Sequence, residues 1–179
     1  YLAEAGYAKG VPMGGDLKLA TPGKVPTFLV AALKDPQGAN LDRIQVVKGW
    51  TQNGQSFEKV FDVVWAGDRK PDKYSGRVPA IRSTVDLDKA TYTNDVGAAE
   101  LKTVWSDPEF DASLHAFYYL RVLEIPTPRW TLIQAVKAGL PPPDVVPLTG
   151  QERAWTTPIW YTPSAESRKL ASTGTTVAD

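Results

Sequence analysis

The sequence contains no cysteine, which excludes disulfides and thiolate chemistry and leaves the compartment open. It has one histidine, His115. Catalytic zinc ordinarily takes two or three His ligands, and a Ser–His–Asp arrangement needs one well-placed base, so no complete active site is visible. No charge of one sign prevails, with 20 basic against 20 acidic residues and a pI near 6.8. Lacking a basic stripe, the chain is not expected to bind nucleic acid. Nor is there an apolar run of the ~18 residues that a membrane-spanning helix requires. A Walker loop and a dinucleotide fingerprint are also missing. The chain opens Tyr1-Leu2-Ala3-Glu4 without an initiator Met and without the look of a signal peptide. That start suggests a processed chain or a fragment of a longer one.

What is present points to strands. Aromatic residues are spread among β-branched runs, and 14 Gly and 15 Pro punctuate the 179 residues. Half of the aromatic residues lie between Trp105 and Tyr161. Each large ring can bury roughly 150–250 Å², so this segment should anchor the core. The length suits a single domain over residues 1–163, followed by a loosely held polar tail over 164–179.

Along the chain, residues 1–15 show no clear period, and Met13-Gly14-Gly15-Asp16 reads as a turn, or as a nest of N–H groups able to hold an anion. Residues 16–20 read as a first strand. Thr27 to Lys34 is apolar on both faces, the pattern of a central strand. Arg43 to Trp50 and Phe57 to Trp65 flank Asn53-Gly54, the strongest short hairpin signal. Residues 67–82 read as a loop, and 84–92 as a region with a short strand. Leu101, Val104 and Trp105 share a helical face, so the spacing predicts a brief helix from Asp95 to Trp105, with Gly97 weakening it. Ala116 to Ile125 alternates as a strand and stops at Pro126 and Pro128. Thr131 to Gln134 has capping-box spacing, predicting a helix to about Ala138 with Gly139 just beyond it. The last aromatic strand, 152–161, should pair with the Ala116 strand, with Pro158 placing it at an edge or bulge.

Three constellations carry chemistry. Asp107, Glu109 and Asp111 alternate like the start of a calcium loop, but Ala112 replaces its glycine and Tyr118 stands where the bidentate Glu belongs. Asp86 and Asp88 with Asn94 and Asp95 read as a solvated turn or a metal site. Finally, Arg121, Glu124, Arg129, Glu152 and Arg153 lie among aromatics. Such a set either holds an anionic ligand or locks the strands and the Pro corner together. Arg129, Trp130, Glu152, Arg153 and Trp155 are accordingly the candidate ligand-binding residues, with an Arg129–Glu152 ion pair expected at the corner. No catalytic residue and no metal ligand is assigned.

Three stretches resemble a known family: Gly6 to Asp16, Phe117 to Trp130, and Gln151 to Tyr161, with Val47-Lys48-Gly49-Trp50 between the first two. They look like the C-terminal third of a bacterial family catalogued as domain of unknown function 3604. The closing pair also resembles the last hairpin of sandwich domains behind PHP-type (polymerase and histidinol phosphatase) metal-dependent hydrolase domains. The resemblance implies a divalent metal in an N-terminal domain absent from this chain. It also implies that the same domain is this chain's partner. None of the His-rich PHP motifs occurs here, so no ligand is carried over.

The expectation is therefore a mainly β, antiparallel, sandwich-like domain with a short helix between its last two strands. It would serve as an accessory part of a PHP-like hydrolase, not catalytic alone and holding no cofactor of its own. The alternative is a ligand- or protein-binding module.

Overall fold

A computed structural model describes residues 2–18 and 24–168. Its architecture grows from one hairpin. Strands β3 (Leu41–Gln52) and β4 (Gln55–Trp65) pair antiparallel, closing with Gln52 opposite Gln55. The two loop residues, Asn53 and Gly54, have φ of 52° and 76°. Left-handed geometry at both positions gives the turn whose twist matches its strands, which is why Asn-Gly is favoured there. A register shift between Ile44 and Gln45 marks a bulge.

On its other side β3 pairs with β6 (Ala116–Glu124), and β6 then carries β9 (Arg153–Trp155) and β10 (Ile159–Tyr161) in succession. The final aromatic segment thus lies along β6 as expected. It breaks around Pro158, which has no N–H for a ladder. Thr156 bridges the break, donating its N–H to Leu120 O (3.1 Å) and accepting from Leu120 N–H through Oγ1 (2.9 Å). The sheet is completed by β1 (Asp16–Leu17), parallel to β10.

A second, two-stranded sheet pairs β2 (Thr27–Leu33) with β5 (Glu100–Ser106) and covers one face of the large sheet. Val30 and Leu101 pack with Leu41 and Ile44, while Phe28 and Trp105 meet Tyr118 and Val46. The Phe28 and Tyr118 ring centroids are 4.8 Å apart. This is the sandwich-like core.

Two expectations are corrected here. The apolar run 27–34 is not central: among the described residues β2 pairs only with β5, so alternate residues face solvent and Leu33 is 76% exposed. The interior strand β3, between β6 and β4, is the one buried from Leu41 through Gly49 despite its charges. Residues 100–106 form β5, not a helix. Leu101, Thr103 and Trp105 turn inward at period two, and Val104 is 65% exposed.

Helix α1 (Leu2–Lys9) precedes β1. Its Ala, Leu, Glu and Lys are strong helix formers even without a clean apolar stripe. At Met13–Asp16 the N–H groups of Gly14 and Gly15 are taken by Pro158 O and Pro12 O, so no anion nest forms. Between β6 and β9 lie β7 (Thr127–Pro128), α2 (Trp130–Lys137) and β8 (Thr149–Gly150), with β7 and β8 paired. Helix α2 starts earlier than the capping box predicts. Arg129 is its cap without a side-chain bond, and the Arg129 carbonyl accepts from Leu132 and Ile133. Ala138 ends the helix and Gly139 follows at φ 64°, as expected. Residues 84–92 hold only a single bridge, Asp86 to Thr91. The 164–179 tail and the end of the 16–20 strand fall largely outside the described residues.

Candidate functional site

The charged residues of β3 are spoken for. Arg43 donates through Nε to Asp42 Oδ2 (3.0 Å), through Nη1 to Val78 O (2.6 Å) and Asp62 Oδ2 (3.3 Å), and through Nη2 to Pro79 O (2.8 Å). Asp62 also accepts from Gln45 Nε2 (2.6 Å) and Val78 N–H (2.8 Å). Arg69 Nη2 lies 2.6 Å from Asp42 Oδ1, an ion pair whose N–H is not aligned on that oxygen, which accepts no hydrogen bond. The network extends across the sheet as Arg121 Nε donates to Gln45 Oε1 (2.7 Å). Buried charges persist when paired and hydrogen-bonded, and this set pins the 66–79 loop onto the sheet.

A second buried group faces the core. Lys48 Nζ lies 2.6 Å from Asp107 Oδ2, donates to Glu109 O (2.7 Å), and sits over the Trp50 ring. Tyr118 Oη donates to the same Asp107 oxygen at 2.7 Å. Burial, reinforced by that carboxylate, pushes the Tyr118 phenol far above its ordinary value. The three acidic residues of the calcium-like stretch therefore part company. Asp107 pairs with Lys48, Glu109 with Lys59, and Asp111 accepts from Ser113. Asp86 accepts from its own turn, at Asp88 and Lys89, and pairs with Lys89. Among the described residues, no group of three or more acidic or His side chains is placed to hold a metal ion.

Arg129, Trp130, Glu152, Arg153 and Trp155 are all exposed, Trp130 to 69%. Arg129 and Glu152 form no ion pair among the described residues. The corner is held instead by backbone and by one amide. Arg129 N–H donates to Leu148 O and Glu124 N–H to Glu152 O. Gln151 Nε2 donates to both Glu124 O (2.9 Å) and Asp42 Oδ2 (3.0 Å). Arg153 and Trp155 are held on β9 opposite Leu123 and Arg121. Burial first, then the nearby Glu152 and Asp35 carboxylates, raises the Glu124 carboxyl above its usual range.

A groove lies elsewhere, at the end of the sheet where β10 meets β6 and the hairpin. It encloses about 510 Å³, within the range of roughly 300–1,000 Å³ typical of small-ligand sites. Trp50 and Phe57 stack beside it at 5.4 Å, and Phe117 and Trp160 meet at 5.4 Å. His115, exposed, stands at its edge. The ring of Phe117 occupies the space above Gly49, where any Cβ would collide with it. Sequence reasoning missed this groove. A glycine inside an otherwise continuous strand was the available signal, because such a glycine marks close approach.

These features define a mainly β, sandwich-like domain with a cross-linked buried polar interior and an aromatic groove at one end. The chain belongs to the family described as protein of unknown function DUF3604, whose profile matches residues 1–163. Searches of curated proteins and of solved structures returned no match. No helix among the described residues is long and apolar enough to cross a membrane.

Proposed function

We propose that this chain is an accessory domain of a larger, bacterial, PHP-like metal-dependent hydrolase, lying C-terminal to the catalytic part and not catalytic alone. The observation that carries the reading is the commitment of its buried carboxylates. Asp42, Asp62 and Asp107 are each consumed in ion pairs that fasten loops to the sheet. His115 stands apart on the groove rim and, among the described residues, has no carboxylate partner. General acid–base work needs such groups within reach of a substrate, and here they are turned to architecture. The resemblance of Phe117–Trp130 and Gln151–Tyr161 to sequences that follow PHP domains supplies the remainder.

The test compares the longer protein with this chain by metal content after dialysis and by turnover of a generic phosphoester. Metal and turnover should travel with the longer protein. Stoichiometric zinc or manganese together with turnover in this chain alone would sink the reading.

A second reading, a ligand-binding module, is favoured by the groove beside Trp160. In that reading the groove joins the exposed Arg129–Trp130 corner as a candidate site.

A further inference from the structure

The register of the large sheet puts four residues in one row across four strands. Glu58 on β4 lies opposite Gly49 on β3, Gly49 opposite Phe117 on β6, and Phe117 opposite Trp160 on β10. Residues opposite one another share a face of the sheet. The row therefore presents a carboxylate at one end, two aromatic rings at the other, and between them a glycine that lets Phe117 lie down. A side chain at position 49 would drive that ring up into the groove.

The rim matches the floor. Thr51, Ser56, Glu58, His115 and Thr162 all line the groove, and among the described residues none of their side chains has a hydrogen-bond or ion-pair partner within the protein. Elsewhere polar side chains such as Asp62, Gln45 and Gln151 are held by several bonds each. These exposed groups, beside the inclined rings of Phe117 and Trp160, are placed for a ligand that is apolar on one face and hydroxylated at its edge. Among the described residues Glu58 is the one Asp, Glu, Lys or Arg in the lining, so a phosphate or carboxylate ligand meets repulsion there. A purely apolar ligand would strip water from Glu58 and the hydroxyls without replacing their hydrogen bonds.

We propose that this groove binds a neutral carbohydrate. A sugar ring lays its C–H face on Trp160, whose negative π-face attracts those hydrogens, with the Phe117 ring inclined at 52° beside it. Its hydroxyls donate to the Glu58 carboxylate and exchange hydrogen bonds with His115 and Thr51. The inference rests on the binding-module reading and names its ligand class.

The test titrates the chain, by tryptophan fluorescence, with neutral gluco-, xylo-, manno- and galacto-oligosaccharides. Uronic-acid oligosaccharides, sugar phosphates and an apolar naphthalene dye run alongside. At least one neutral series should bind. Trp160→Ala and Glu58→Gln, both at exposed positions, should each weaken it roughly tenfold or more, about 1.4 kcal/mol, with unchanged thermal midpoints. Neutral binding indifferent to both variants would overturn the groove assignment. Binding of only acidic sugars or only the dye, lost in Trp160→Ala, would overturn the ligand class and leave the module reading standing. No binding of any probe would overturn both.

Discussion

Lys48 and Asp107 meet at 2.6 Å inside the sandwich, with the Tyr118 hydroxyl on the same carboxylate oxygen. This pair ties the loop after β5 to β3. Removing one member leaves the other buried and unpaired, a loss of roughly 3–5 kcal/mol. Asp107→Ala should show that loss in a denaturant titration. A joint Lys48→Met/Asp107→Leu replacement should recover a good part of it, and strictly additive losses would show the two groups are not coupled.

Tyr118 supplies a pH test of the same cluster. Its phenol is held protonated by burial and by Asp107, whereas an unfolded tyrosine ionises near ~10. A raised folded value means the contribution is complete below that pH and declines as pH rises beyond it. Stability should therefore fall above pH ~10 with a steeper slope in the wild type than in Tyr118→Phe. At neutral pH the variant should lose about 1.5–3 kcal/mol, the usual worth of a hydrogen bond to a charged group. Parallel alkaline limbs in the two proteins would contradict the assignment.

Glu124 works in the opposite sense at neutral pH. With its folded value raised by burial and by Glu152 and Asp35, the ionised carboxylate disfavours the folded state. Its contribution to stability is regained as pH falls through the raised value toward the ordinary ~4.3. Glu124→Gln should melt higher than wild type at pH 7, and the gap should close on acidification. A gap that widens toward low pH would reverse the reading.

Gly49→Ala should displace the Phe117 ring, since the two cannot share the space. Overpacking of this kind costs about 1–3 kcal/mol. The double variant Gly49→Ala/Phe117→Ala should lose less than the sum of its parts. Full additivity in thermal melts would show that the ring moves aside freely.

Local chemistry was legible in the sequence wherever one short stretch decided it. Asn53-Gly54 specified its turn and thereby the pairing of Arg43–Trp50 with Phe57–Trp65. Pro126 and Pro128 marked the end of β6, and Gly139 the end of α2. What could not be read was the choice of interior strand. The apolar run at 27–34 read as a central strand, and Arg43 to Trp50 only as one strand of the hairpin. The order is reversed because the partners that make those charges tolerable, Asp62, Arg69 and Asp107, come from distant segments. The Arg129–Glu152 pair failed for a related reason. Opposite charges near each other in a pairing scheme carry no instruction about direction, and the backbone bonds at Leu148 and Glu152 with the Gln151 amide hold the corner without them. Gly49 signalled close approach, but not the groove itself, because its row of four residues exists only once four strands are in register.

The parallel contact of β1 with β10 is the pairing of greatest sequence separation in the large sheet. Asp16 and Leu17 meet Trp160 and Tyr161, whereas β3 and β4 meet across the two residues of their turn. Loop-closure entropy makes the pairing of greatest sequence separation the slowest to be rewarded. By that argument the pairing of β1 is the one expected to form last, and the outer edge of β10 depends on a contact that the rest of the sheet does not need.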